Sequence, residues 1–161
     1  AQRAYSFGMR VHYHNRRRLE KNIEDEVKAT FWGDLNEMLA EMDIISIHCP
    51  HNKDTHHMIS KKRIDVMKTS SYIVNVSRAG IIDESALISN LEAGKIAGAG
   101  LDVFEHYPSV NRKLQKLKNV ILLPHMGSAT LESRIEMGEK VMINIKTFID
   151  GHRPPDRVIF E

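Results

Sequence analysis

Along this chain, short apolar runs alternate with segments in which apolar residues recur every three or four positions. These are the periods of strands and of amphipathic helices. Residues 1–7 have helix-like composition, and Gly8 suits the left-handed position that follows a helix end. MRVHYH then reads as a strand. In DLNEMLAEM, Asp34 stands three residues before Glu37, a capping pattern that opens a short helix. DIISIH, residues 43–48, predicts a buried strand closed by the loop CPHNKD. Ser60 is placed to cap SKKRIDVMK, SYIVNVS is the next strand, and Arg78-Ala79-Gly80 makes a turn. Asp83 is placed to cap DESALISNLEAG, which stops at Gly94. IAGAGLDVF, residues 96–104, is a glycine-rich strand that must pack tightly, and NVILLPH is the last strand. ATLESRIEMGEKVMINIKTFIDG is a long final helix on which Leu131, Ile135, Met142, Ile145 and Ile149 predict a buried stripe. Gly151 ends it, with Pro154 and Pro155 beyond.

Alternating strands and helices predict an α/β fold with a doubly wound, mainly parallel sheet. Ligands of such sheets bind beyond the carboxyl ends of the strands. Those ends carry HNRRR, HCPHN, NVSRAG, LDVFEHY and LPHMG, a rim supplied with arginines, histidines and an aspartate. Arg78 could hold a carboxylate with its fork, or could simply pair with Asp83 or Glu84. His125 suits proton transfer near neutral pH, or could serve only as a loop cap. Asp102 could orient a histidine, bind a ligand amide, or be a hydrogen-bonded turn residue.

Composition narrows the choices. The 161 residues suffice for one sizeable core, and a formal charge of +2 gives no global field that favours nucleic acid or an acidic membrane. Arg16, Arg17 and Arg18 lack an aromatic platform, so no nucleic-acid partner is expected. No run approaches the roughly 18 apolar residues of a membrane span. A single cysteine, Cys49, and no signal-peptide pattern at the start suit a cytoplasmic protein. Nine histidines invite a metal, but neither HExxH nor CxxC is present and no metal site is expected. The opening AQRAYSFGM reads like the middle of a helix, so the chain is expected to be a piece of a longer one.

At NVSRAGIIDESAL, GAGLDVFE and LLPHMGSAT the chain resembles the D-isomer-specific 2-hydroxyacid dehydrogenases, and within them glyoxylate/hydroxypyruvate reductases. The resemblance covers essentially the whole chain. It implies a Rossmann-type coenzyme domain that lacks its first strand and glycine-rich turn here, with residues 1–151 a partial NAD(P)-binding domain and 152–161 a tail returning toward a substrate domain. It implies that Arg78 binds and polarises a 2-oxo acid, that His125 protonates the carbonyl oxygen, and that Asp102 meets the nicotinamide carboxamide. Pro50, Thr55, Val76, Ser77 and Gly127 fall where the family lines the coenzyme cleft. A homodimer is implied by analogy.

Two departures refine these expectations. Tyr107 stands where the family places the glutamate that partners the catalytic histidine. A tyrosine orients a ring but stays neutral at pH 7, so reduction is expected to weaken above about pH 6.5, the ordinary histidine value. Glu105 would substitute if its loop bent suitably. The same departure favours an alternative, a nucleotide-binding regulator without turnover, like the corepressors related to this family. At the end of the second strand, NAD-preferring relatives carry an acidic residue for the ribose. Here Asn15 is uncharged and Arg16 and Arg17 follow, which favours NADP(H) over NAD(H). Arg18 is expected to be a solvated neighbour.

Overall fold

Capping side chains set several element boundaries in the computed structural model, which describes residues 1–159. Asp34 accepts from the amides of Asn36 and Glu37 at the start of one helix, and Asp83 accepts from the Ala86 amide at the start of another. In chain order the elements are α1 (Gln2–Ser6), β1 (Val11–Tyr13), α2 (Lys21–Val27), β2 (Ala29–Phe31), α3 (Leu35–Glu41), β3 (Ile44–Ile47), α4 (Lys61–Asp65), β4 (Tyr72–Asn75), α5 (Glu84–Glu92), β5 (Gly98–Leu101), α6 (Arg112–Lys116), β6 (Val120–Leu122) and α7 (Leu131–Ile149). A single 3₁₀ turn, Ala79–Ile81, follows β4. Ser60 precedes α4 but makes no side-chain capping bond. After α5, Gly94 has φ +65°, the left-handed conformation that glycine adopts without penalty.

The chain falls into two compact units, Ala1–Leu123 and the remainder from Pro124. In the first, every strand pairing is parallel, as expected, but the strands form two sheets. One contains β1 and β2; the other runs in the order β3-β4-β5-β6. Helix α2 and strand β2 were not expected from the sequence pattern. Helix α2 is short and mostly polar, and β2 has three residues, too few to express a period.

The core lies on one face of the four-stranded sheet. Ile45, Ile47, Ile73, Ala99 and Leu101 are buried there with Leu39 of α3, Ile64 of α4, Leu87 and Leu91 of α5 and Leu114 of α6. The opposite face is open: Ile44, Tyr72 and Ile121 are each at least half exposed. Strand β3 is therefore buried on alternate residues, not along its whole length as expected. Among the described residues of this unit, helices on one side supply its apolar partners.

The second unit contains α7, with the Thr130 hydroxyl accepting from the Ser133 amide at its start. Here the expected stripe is overturned. Leu131, Ile135, Met142, Ile145 and Ile149 do share the predicted spacing, yet α7 has no buried residue. Periodicity identifies residues that lie on one face of a helix; burial also requires an apolar partner.

Candidate coenzyme and active site

The carboxyl ends of β3 and β4 build a shallow depression lined by His48, Cys49, Pro50, His51, Ser77 and Arg78. Its geometry begins with Asn75, a polar residue almost completely buried at the end of β4. The Asn75 side-chain amide donates to the Arg78 carbonyl at 3.0 Å, and its oxygen accepts from the Ser77 amide at 3.1 Å. Ser77 then donates its hydroxyl to the Cys49 carbonyl at 2.6 Å, tying the two strand ends together. A buried carboxamide satisfied on both sides fixes a turn firmly, because either loss would strand a polar group.

Arg78 is exposed and extended, with Nη1 donating to the Ser77 carbonyl at 2.8 Å. The alternative partners are engaged elsewhere: Asp83 caps α5, and Glu84 accepts from the Glu105 amide at 3.1 Å. The guanidinium is thus available to a small anion rather than bound into a local ion pair.

The loop after β3 braces itself. Thr55 donates its hydroxyl to the Pro50 carbonyl at 2.7 Å, and Asn52 accepts from the amides of Asp54 and Thr55. His57 donates its amide to the Gly80 carbonyl at 2.8 Å, and Ile59 forms a parallel bridge with Ile82. The loop thereby lies against the Arg78 turn, so closely that a Cβ on Gly80 would come within 2.8 Å of His51 Nε2. Histidines 56 and 57 stack at 4.0 Å between ring centroids, and His57 Nε2 lies 2.7 Å from Glu105 Oε1. Glu105 is accordingly occupied with His57 and the 50s loop. Among the described residues no three His, Cys, Asp or Glu side chains converge to hold a metal ion. Burial pushes the Cys49 thiol up, which disfavours a thiolate.

Asp102 follows β5, is buried, and donates its amide to the Asn75 carbonyl at 3.0 Å. The structure therefore joins Pro50, Thr55, Ser77, Arg78 and Asp102 through a few hydrogen bonds around the ends of β3, β4 and β5. Val76, half exposed, adjoins them in sequence. Tyr107 is 67% exposed. In the second unit, His125 and Gly127 are exposed, and His125 has φ +57°, a left-handed conformation unusual outside glycine.

At the end of β1, Asn15 Oδ1 accepts from the Arg16 amide at 2.9 Å. Among the described residues, neither Arg16 nor Arg17 makes a side-chain hydrogen bond or ion pair, and both are exposed. Arg18 corrects the sequence expectation. It is exposed as expected but not a free neighbour: its Nε and Nη2 donate to the two oxygens of Glu24 at 2.9 and 2.8 Å. Its guanidinium also sits 5.7 Å from the Phe31 ring centroid. The Arg18 bonds, with Tyr13's hydroxyl bond, hold the Glu24 carboxyl down to about 2. No sequence signal marked Glu24, since α2 itself went unrecognised; Asn75 did leave one, as a polar residue inside an apolar strand.

Parallel strands linked by helices, with arginines and histidines at their carboxyl ends, define a dinucleotide-binding domain of the Rossmann type. Residues 1–127 match the model of the D-isomer specific 2-hydroxyacid dehydrogenase NAD binding domain. The chain is 46% identical over 158 residues to the glyoxylate reductase of Thermococcus litoralis, covering 98% of this chain and 47% of that protein. It superposes on the NADPH-dependent glyoxylate/hydroxypyruvate reductase of Sinorhizobium meliloti, solved with NADP and malonate, with a TM-score of 0.83 and 33% identity. That match covers 91% of this chain and 44% of the other. D-lactate dehydrogenase of Lactobacillus jensenii, solved with NAD+, gives a TM-score of 0.87 and 31% identity, covering 99% and 51%. The chain belongs to the D-isomer specific 2-hydroxyacid dehydrogenase family, and it spans about half the length of the curated relatives it matches.

Proposed function

We propose that the complete polypeptide carrying this chain is a reductase that converts glyoxylate or hydroxypyruvate to the 2-hydroxy acid with NADPH. The observation that carries this reading is Arg78, exposed at the rim and not paired with either neighbouring acid. A planar guanidinium in that state suits a 2-oxo carboxylate, which it would bind with two parallel hydrogen bonds. Asn15, Arg16 and Arg17 fit the coenzyme: uncharged Asn15 stands where a carboxylate would oppose a 2′-phosphate, and the two exposed guanidiniums follow it in the chain. Glyoxylate reductases among the relatives and the NADP-bound structural neighbour support this choice, while the NAD-bound neighbour makes coenzyme preference a point to test.

Residues 1–151 would form part of the coenzyme domain, lined by Pro50, Thr55, Val76, Ser77 and Gly127, in a cytoplasmic homodimer. The nicotinamide, when bound, supplies the hydride to the carbonyl carbon, and Asp102 holds its carboxamide. Arg78 anchors the carboxylate and draws charge toward the carbonyl oxygen. His125 delivers a proton to that oxygen, so the alkoxide charge never accumulates. No carboxylate at position 107 backs that histidine; Tyr107 is therefore the observation behind a second reading, a nucleotide-binding regulator without turnover.

Steady-state assays of the complete polypeptide with glyoxylate and hydroxypyruvate, using NADPH and NADH, separate the readings. Turnover with NADPH is expected, and His125→Gln should lower kcat by about 10²–10⁴-fold, the usual weight of a general acid. Tight NADPH binding without turnover would establish the regulator instead.

A further inference from the structure

The stretch 14–20 between β1 and α2 is held at three points that do not involve Arg16 or Arg17 side chains. At its start, Asn15 Oδ1 takes the Arg16 amide. At its far end, the Leu19 amide donates to the Tyr13 hydroxyl at 3.0 Å, folding the loop back over the strand it left. Between them, Arg18 donates twice to Glu24 of α2, and Tyr13 donates its hydroxyl to the same carboxylate. Glu24 is the only buried residue of α2. Its side chain is 6% exposed, whereas that of Arg18 is 63% exposed.

That asymmetry decides what Arg18 does. Removing it from Glu24 to bind an incoming anion would leave a buried carboxylate with one neutral donor, a costly state. The guanidinium is further oriented by the Phe31 ring, itself 5.3 Å from the Tyr13 ring between centroids. Loops held in their binding conformation before the ligand arrives lose less entropy on binding. The two arginines left without side-chain partners are the pair between the fixed points.

We propose that Arg18 is a positioning residue for coenzyme selection: fixed on Glu24 and Tyr13, it closes the loop so that Arg16 and Arg17 are presented together to an adenosine 2′-phosphate. This rests on the NADP(H) reading above. Arg18 does not touch the phosphate. Its removal is felt only by coenzymes that carry one, because NADH asks nothing of the Arg16–Arg17 pair.

Four variants of the complete polypeptide test it: Glu24→Gln, Arg18→Met, which keeps an apolar stem on Phe31, Arg18→Lys, and the double change Arg16→Ala with Arg17→Ala. The readouts are KM and kcat for NADPH and NADH and inhibition by ADP and 2′-phospho-ADP. Glu24→Gln and Arg18→Met should each raise KM for NADPH about tenfold, as loss of a preorganised charged contact does, with kcat and the NADH constants within about twofold. Arg18→Lys, retaining one charged bond to Glu24, should restore part of the loss. Equal losses with both coenzymes would make the clamp a general prop of the fold and overturn the proposal. No loss, or stronger NADPH preference once Glu24 is neutral, would overturn it too, the latter by showing Arg18 to be a restrained phosphate ligand. Arg18→Lys keeps a cation on the buried Glu24 carboxylate, so it reports a smaller, NADPH-specific loss even if Arg18→Met or Glu24→Gln fails to fold. If the Arg16/Arg17 double variant still prefers NADPH, the coenzyme reading itself falls; if that variant loses the preference while the clamp variants keep it, only the clamp falls.

Discussion

Glu24 keeps its charge at a place where a carboxylate has little water around it, because Arg18 and Tyr13 donate to both of its oxygens. The folded chain therefore prefers the ionised form, and the carboxyl lies at about 2, below its ordinary 4.5. Linkage gives the sign. Stabilisation from this group is complete above the ordinary carboxylate value and drains away as pH falls from about 4.5 toward about 2. Glu24→Gln should be less stable than the parent near neutrality, and the gap should narrow across that acid window. Urea midpoints by circular dichroism at a series of pH values measure it. A gap that does not change with pH would show that shape, not charge, is what matters at this position. The same residue marks a limit of sequence reading. An acid six positions after an arginine, on a helix too short and polar to be recognised, carries no local sign that the two will meet.

At the scale of elements, β5 shows why one of its two glycines is there. A Cβ on Gly98 would lie 2.6 Å from the Asn119 carbonyl and 3.1 Å from the Tyr72 ring, one a backbone atom and the other a neighbour on β4. Gly100 is two residues along the same strand, and a Cβ there would meet only the Val74 methyls at 3.8 Å. Gly98→Ala should cost about 1–3 kcal/mol, the range for forcing atoms into a packed region, while Gly100→Ala should be close to neutral. Denaturant unfolding of the two variants decides it, and equal effects would count against the contact argument. The glycines themselves made this tight packing legible in the sequence, though not its partners, and the caps at Asp34 and Asp83 and the stop at Gly94 were legible because each depends on residues a few positions apart. Arg78, Ser77 and Asp102 were likewise legible as strand-end residues. The Asn75 bonds, the clasp between His57 and Glu105, and the separation into two sheets were not, because they depend on which distant segments become neighbours.

Apolar burial is distributed unevenly through the molecule. The buried apolar side chains belong to the four-stranded sheet, its helices and the segments that connect them, whereas β1, β2 and α7 contain none and α2 buries only a carboxylate. Two short strands form a marginal sheet by themselves, and α7, without a buried face, is held by its own backbone bonds and the paired hydrogen bonds between Asn144 and Asp156. Local opening follows this distribution, since amides exchange with solvent by the cheapest opening that exposes them. For the 161-residue chain studied alone, hydrogen exchange should be slow at Ile45, Ile47, Ile73, Ala99 and Leu101 and markedly faster at His12, Thr30 and along α7. The arginines proposed for the coenzyme, Arg16 and Arg17, would then sit on the more readily opened part, which places a larger share of binding energy on holding their loop. A nucleotide that engages Arg16 and Arg17 should accordingly slow exchange around β1 and α2 more than in β3–β5. Exchange measured by mass spectrometry with and without 2′-phospho-ADP tests both statements. Uniform protection without ligand would refute the first, and protection confined to β3–β5 on ligand addition would move the 2′-phosphate away from the Arg16–Arg17 pair.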